Sequence, residues 1–221
     1  MTFINQWIHI WNLCKNDVIH MLRVAGGGEV QASTEAGKKP SLLILSIHIP
    51  LRRMHGYQIN QNLESLDQLA GCLTQLPDPV PTENQVLIDV KCAGMNFFDT
   101  LQVRGLYQDQ PPFPFIPGAE LSGVISSNSP IPKGCPFVPG KTRVFGSTQG
   151  CYATKACVAW DQLIEIPPGL DFEHSAAIFV TYPTSYASLI NRGKLKKGEW
   201  CLVHAAAGGV GIAAVQIAKG E

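Results

Sequence analysis

Toward its C-terminal end the chain sets a run of very small residues between two apolar stretches, and few folds have a use for that arrangement. Trp200 to Val203 is a short continuous apolar run. Ala206, Ala207, Gly208, Gly209, Val210 and Gly211 follow, and then Ile212 to Lys219, apolar on nearly every side. The first stretch predicts a strand buried on both faces. The last predicts a helix packed against protein rather than water. Small residues at 206, 208 and 211 suit a tight strand-to-helix turn, because backbone N–H groups must approach a pyrophosphate and any large side chain would fill its space. The helix N-terminus adds orphan N–H donors and a partial positive charge. Ala206-x-Gly208-x-x-Gly211 is therefore a dinucleotide fingerprint with alanine in its first place, and residues Ala206 to Gly211 are the expected cofactor-binding set. The alternative is a tight turn in an α/β protein with another purpose.

The preceding sequence has a different texture. From about 54 to 170 short strand candidates alternate with turns. Gln85 to Lys91 alternates with β-branched content and predicts a half-buried strand. Leu121 to Ser126, Arg143 to Gly146, Tyr152 to Val158 and Leu163 to Ile166 are further candidates. Proline-glycine punctuation at 117–118, 139–140 and 167–169 limits strand length and points to a partly open barrel or a sandwich. Near 171 the period changes: Asp171 can cap a helix from about 172 to 190, which Pro183 should kink or break into two. Arg192, Lys194, Lys196 and Lys197 read as a solvated turn rather than an anion site. Residues 1–53 have poor periodicity. Gly26-Gly27-Gly28 reads as a linker and not a phosphate loop, because Gln31 stands where the last glycine would be.

The bulk numbers exclude several classes. The chain has 221 residues, 45% hydrophobic and 15% charged with no formal net charge, so a core is possible and a nucleic-acid stripe or charged tail is absent. Seven cysteines without a C-x-x-C argue against a disulfide framework or structural zinc and for reduced thiols in the cytoplasm. The longest apolar stretch, Leu42 to Leu51, contains His48 and Pro50 and is too short to span a bilayer. No secretory signal opens the chain.

Three blocks, in order, carry a family resemblance. They are Ala93 to Tyr107 running on into Pro111 to Gly123, then Thr181 to Leu189, then Val203 to Lys219. Over about 54 to 219 the chain resembles the zinc-free quinone oxidoreductases of the medium-chain dehydrogenase/reductase superfamily, close to their zeta-crystallin-like and fungal NADPH:quinone reductase members. The resemblance implies an α/β protein: a GroES-like, partly open β-barrel followed by a Rossmann domain, with the cofactor in the cleft between them. In these terms residues 1–53 are an irregular extension and 54–170 the GroES-like catalytic domain. Residues 171–198 are a connection, and 199–221 the first β-α unit of a dinucleotide domain. Because such a domain normally continues through further strands, the chain is expected to be incomplete, with little cofactor binding of its own.

The resemblance also assigns roles. The zinc enzymes of the superfamily carry a cysteine where this chain has Asn96 and a histidine where it has Ala119, and Glu120 alone cannot hold zinc. The implied reaction is metal-free hydride transfer from NADPH, with NADH left open, to a quinone-like acceptor or activated alkene. Asn96 and Tyr107 are the expected catalytic residues, and Thr184 the contact to the nicotinamide. Phe97, Phe98 and Leu101 are candidate walls, although the two phenylalanines read first as core. Glu120 reads as an orienting residue and not an acid, and His204 as a hydrogen-bonded core histidine. Partners are a small molecule and no nucleic acid or membrane, with a homodimer open for a longer form. The alternatives are an enoyl-thioester reductase on the same scaffold, or an inactive fragment or partner-binding barrel.

Overall fold

The alternating sequence from Gln85 makes the strand on which the first part of the molecule hangs. In a computed structural model that describes residues 22–25, 47–48 and 53–220, the strands are β1 (Leu22–Ala25), β2 (Ile47–His48), β3 (Met54–Tyr57), β4 (Leu73–Leu76), β5 (Gln85–Gly94), β6 (Glu120–Ile125), β7 (Arg143–Ser147), β8 (Lys155–Ala159) and β9 (Leu163–Glu165). The α-helices are α1 (Phe97–Gln102), α2 (Phe172–Ala176), α3 (Thr181–Tyr186) and α4 (Gly209–Gly220). The chain divides into two compact units at the break between Ala177 and Ile178.

The first unit is an antiparallel half-barrel. β5 pairs with β6 along one side, β6 with β7, and β7 with β9. On its other side β5 pairs with β8 from Gln85 to Asp89. The expectation of a half-buried β5 needs correction. Val86, Leu87 and Ile88 are all buried, because a central strand is covered on both faces. Val86 and Ile88 pack with Leu121, Ile125, Val144 and Val158 in the main core. The register of β5 against β6 shifts between Val90 and Cys92, which leaves Lys91 as the extra residue of a bulge.

Two strands fall within the stretch expected to be irregular. Once β8 has ended, the edge of β5 beyond Asp89 has N–H and C=O groups to satisfy. The β1 backbone meets it, Leu22 opposite Ala93 and Arg23 opposite Cys92, and β2 lies parallel to β1. The glycine triplet at 26–28 lies outside the described residues. β3 begins at Met54, where the sequence pattern changes, and pairs with β4.

The segment expected as one long helix is broken, as Pro183 requires. α2 ends at Ala176, a turn follows, and α3 carries Pro183 in its first turn, where the missing N–H costs little. In the second unit two expectations are corrected. Trp200 to Val203 forms no strand: Trp200 and Leu202 stand 102% and 83% exposed. A strand buried on both faces needs ladder neighbours, and no described strand pairs with this stretch. α4 buries one face instead of all sides. Ala213, Ala214, Gln216 and Ile217 are inside, while Val210 and Val215 face out.

Candidate functional site

In the second unit the small-residue loop folds as a tight cradle. Ala205 takes the left-handed conformation, φ 51°. Its carbonyl accepts from the Gly208 N–H at 3.0 Å, and α4 starts one residue later. A Cβ on Gly211 would lie 2.3 Å from the Ala205 oxygen and 2.7 Å from the Ala206 Cα, so only glycine permits the approach of helix start to loop. A Cβ on Gly208 would meet only the Ala205 oxygen, at 3.5 Å, so the space above it is open. Ala206, Ala207, Gly208, Gly209 and Val210 are all exposed. Open backbone with no side chain over it, at the start of a twelve-residue helix, is what a pyrophosphate needs. These residues fit a dinucleotide.

α3 braces that cradle. The Ser185 hydroxyl donates to the Val210 carbonyl at 2.7 Å, and the buried Tyr182 hydroxyl donates to Gln216. Neither contact was visible in the sequence. Thr184 is exposed, and its hydroxyl donates to the Val180 carbonyl at 2.7 Å, which leaves its oxygen lone pairs as acceptors. His204 is exposed and not a core histidine, a correction that follows from the missing strand around it.

The first unit gathers the other candidates around Asn96. Asn96 precedes α1 as its N-cap, but its side-chain amide goes elsewhere: Nδ2 donates to Glu120 Oε1 at 2.7 Å. Glu120 is 1% exposed at the start of β6. The Asn96 backbone N–H donates to Asp99 Oδ2 at 2.8 Å, and the Tyr152 hydroxyl donates to the same oxygen at 2.7 Å. Burial pushes the Asp99 carboxyl above its ordinary range; the Tyr152 hydroxyl and the Asn96 and Gly118 N–H groups pull the other way without winning. Burial also raises the Tyr152 phenol well above its ordinary range, and the neighbouring Asp99 charge adds to it. Asp99 and Tyr152 carried no role in the sequence reading. The signal available was an acidic residue three places after an N-cap, which folds back onto the cap N–H.

The remaining candidates lie on or after α1. Tyr107 is half-buried and its ring sits 5.3 Å from that of Phe98. Phe97 is 78% exposed and not core, since the first residue of a short helix points away from the sheet. Leu101 is half-buried and its carbonyl accepts from the Leu106 N–H. Ala119 presents its carbonyl to the Ser147 hydroxyl at 2.7 Å. Among the described residues no three His, Cys, Asp or Glu side chains gather as a metal site. The described cysteines are free thiols.

Known proteins with this arrangement are numerous. The Alcohol dehydrogenase GroES-like domain family matches residues 82–168. The human quinone oxidoreductase is 41% identical over 143 residues, covering 64% of this chain and 43% of the human protein. Over the part they share, the chain is similar to quinone oxidoreductases. A probable oxidoreductase from Mycobacterium abscessus superposes with TM-score 0.66 and 37% identity, covering 75% of this chain and 52% of that one. The Thermus thermophilus quinone oxidoreductase, also solved with NADPH, gives TM-score 0.61 and 32% identity over 75% of this chain and 50% of that one. The chain thus spans about half the length of the family members it matches, or less.

The match to the GroES-like domain accords with the antiparallel half-barrel, and the likeness to these structures is consistent with a dinucleotide-binding start in the second unit. No described helix is long and apolar enough to cross a membrane.

Proposed function

We propose that this chain is part of an oxidoreductase that reduces a quinone-like acceptor with NADPH and without a metal. The observation that carries the reading is the Asn96–Glu120 contact. Where zinc enzymes would need a thiolate and an imidazole, this chain has an amide and a methyl group, and the amide is already engaged by a buried carboxylate. Such a set offers hydrogen bonds and no ligand field. The nicotinamide, when bound, supplies the hydride. Ala206 to Gly211 would hold its pyrophosphate by backbone N–H groups, and Thr184 would offer an acceptor oxygen to the nicotinamide. Asn96 and Tyr107 would orient the acceptor, with Phe98 beside Tyr107 as an apolar wall. A quinone suits these groups because its carbonyl oxygen gains charge that a positioned N–H can stabilise, and its conjugation removes the need for a Lewis acid.

The test is steady-state oxidation of NADPH by a quinone, against an enoyl thioester, in a form that spans the full length of the family members. The expected result is turnover with the quinone, unchanged by a chelator, and no stoichiometric zinc by elemental analysis. Faster turnover of the thioester would reassign the substrate, and zinc with chelator-sensitive activity would reassign the chemistry. Sedimentation of such a form would show whether it is a homodimer.

A further inference from the structure

Asn96 carries two Nδ2 hydrogens. One is committed to Glu120, and no described residue accepts the other. Where that second hydrogen points depends on the amide plane, and the surroundings restrain it from two sides. Glu120 is 1% exposed and its carboxylate packs directly against the Gly94 backbone, so the acceptor of the first hydrogen is enclosed. Behind Asn96, Asp99 is 3% exposed and grips the Asn96 N–H through Oδ2, while Oδ1 has no partner at full hydrogen-bond geometry and the Gly118 N–H favours the carboxylate less than the Tyr152 and Asn96 donors do. A buried carboxyl with one oxygen idle is costly to keep. The idle oxygen is tolerated here because Oδ2 receives two donors, Asn96 N–H and Tyr152 O–H.

Tyr152 is itself clamped. Its N–H donates to the Pro117 carbonyl at 2.9 Å and its carbonyl accepts from Tyr57. Its ring lies so close to Gly118 that a Cβ there would come within 2.4 Å of the ring. The hydroxyl has one hydrogen and two acceptors within reach, Asp99 at 2.7 Å and the Gly94 carbonyl at 3.3 Å; the charged and nearer acceptor takes it. Asp99 thus receives the Tyr152 O–H and the Asn96 backbone N–H on one oxygen, and the Asn96 side chain is tied in turn to Glu120 at the start of β6, so Asn96 is held at both its backbone and its side chain.

We propose that Asp99 and Tyr152 are positioning residues that fix the Asn96 amide plane, so that its second Nδ2 hydrogen is presented to a carbonyl oxygen of the acceptor. This rests on the reading of Asn96 as the acceptor-facing residue. It narrows the substrate class to molecules with a carbonyl conjugated to the carbon or oxygen being reduced, since the donor then meets an oxygen whose negative charge grows.

Two readouts separate this inference from the function on which it rests. The first is NMR on the 221-residue chain. The Asn96 side-chain amide hydrogens, assigned through Asn96→Asp, should exchange slowly with solvent, and Tyr152→Phe should speed that exchange by at least about tenfold with the backbone amides of β5 and β6 unchanged. Asp99→Asn, which keeps an oxygen for both donors, should stay near wild type. Unchanged exchange in Tyr152→Phe overturns the proposal. If Tyr152→Phe does not fold, wild type decides: a slowly exchanging Tyr152 hydroxyl proton close to the Asp99 methylene supports it, and its absence overturns it. The second readout is kinetic, in the full-length form. Tyr152→Phe should lower kcat with quinone about 10- to 100-fold while leaving KM for NADPH unchanged. A fall in which both parameters move with the loss of folded protein overturns the positioning role. A wild type that turns over no quinone sinks the function, and the exchange experiment then judges the positioning alone.

Discussion

Gly94 shows how much one missing methyl group can decide. It ends β5 beneath Glu120, and a Cβ there would lie 2.4 Å from the Glu120 Oε1 and 2.7 Å from the Ala176 carbonyl. The carboxylate cannot retreat because Asn96 holds it, and the carbonyl is backbone. Gly94→Ala should therefore cost about 1–3 kcal/mol, the usual range for forced overpacking, and be seen as a lower Tm together with faster exchange at Asn96. A Tm equal to wild type would show that Glu120 has room to move. At this scale the sequence was partly legible. Asn96 and Ala119 could be singled out because they stand at positions where related zinc enzymes carry metal ligands, and Glu120 beside Ala119 reads as an orienting residue. Asp99, Tyr152 and Gly94 could not, because their roles come from residues 53 and 58 positions apart being brought into contact, and spacing along a chain does not report such closures. Tyr107 and Thr184 were placed by resemblance, and the structure adds only where they stand.

Elements were more legible than contacts, since period and punctuation are local. The strands from β5 to β9 were recognisable within a few residues, and the break before Pro183 follows from ring geometry. Trp200 to Val203 failed because an apolar run specifies burial, not the neighbours that supply it. The cap of α2 is a case where charge enters. The Asp171 side chain accepts from the His174 N–H and meets the ring Nδ1, each at 2.7 Å. Partial burial pushes its carboxyl up, but the hydrogen bonds from His174 outweigh this and leave it below its ordinary range. A depressed folded value means that the ionised form is favoured by folding. That contribution is present above the ordinary Asp value, about pH 3.9, and fades as pH falls through the lower folded value. Asp171→Ala should cost about 0.5–2 kcal/mol at neutral pH, and the Tm gap to wild type should close toward pH 3. A gap that stays constant from pH 7 to 3 would show that the carboxylate charge does nothing for the cap. The loop before α4 allows a sharper comparison, on the full-length form. Gly211→Val must clash with the Ala205 carbonyl, 2.3 Å from where its Cβ would stand, so it should loosen α4 and abolish NADPH binding. Gly208→Val meets nothing closer than 3.5 Å and should leave stability within about 0.5 kcal/mol of wild type, a surface-like cost, while still weakening NADPH. If Gly208→Val binds NADPH as wild type does, the pyrophosphate lies elsewhere.

The two units differ in how completely each satisfies its own apolar surface. The first closes a core in which Val86, Ile88, Leu121, Ile125 and Val144 are all fully buried. The second folds α4 against α3 through Ala213, Ile217 and the Tyr182–Gln216 contact. It leaves Trp200, Leu202, Val210 and Val215 in water, and no strand forms at 200–203 to back the phosphate loop. Two consequences follow for the 221-residue chain. Among the described residues no strand backs the loop, and a sheet normally fixes a dinucleotide crevice, so NADPH should bind weakly, with Kd above about 100 μM, well short of the micromolar range in which cofactors and substrates commonly bind. Its exposed aromatic and aliphatic side chains should drive concentration-dependent association, because contiguous apolar surface in water is the usual origin of such contacts. Sedimentation velocity across a concentration series would show a rising average mass, and Trp200→Glu with Leu202→Lys should hold the chain monomeric without altering exchange protection in β5 and β6. A wild-type chain that stays monomeric at high concentration, with strong protection over 200–218 and micromolar NADPH affinity by calorimetry, would mean that the second unit is complete as it stands and that its apolar face is covered in solution.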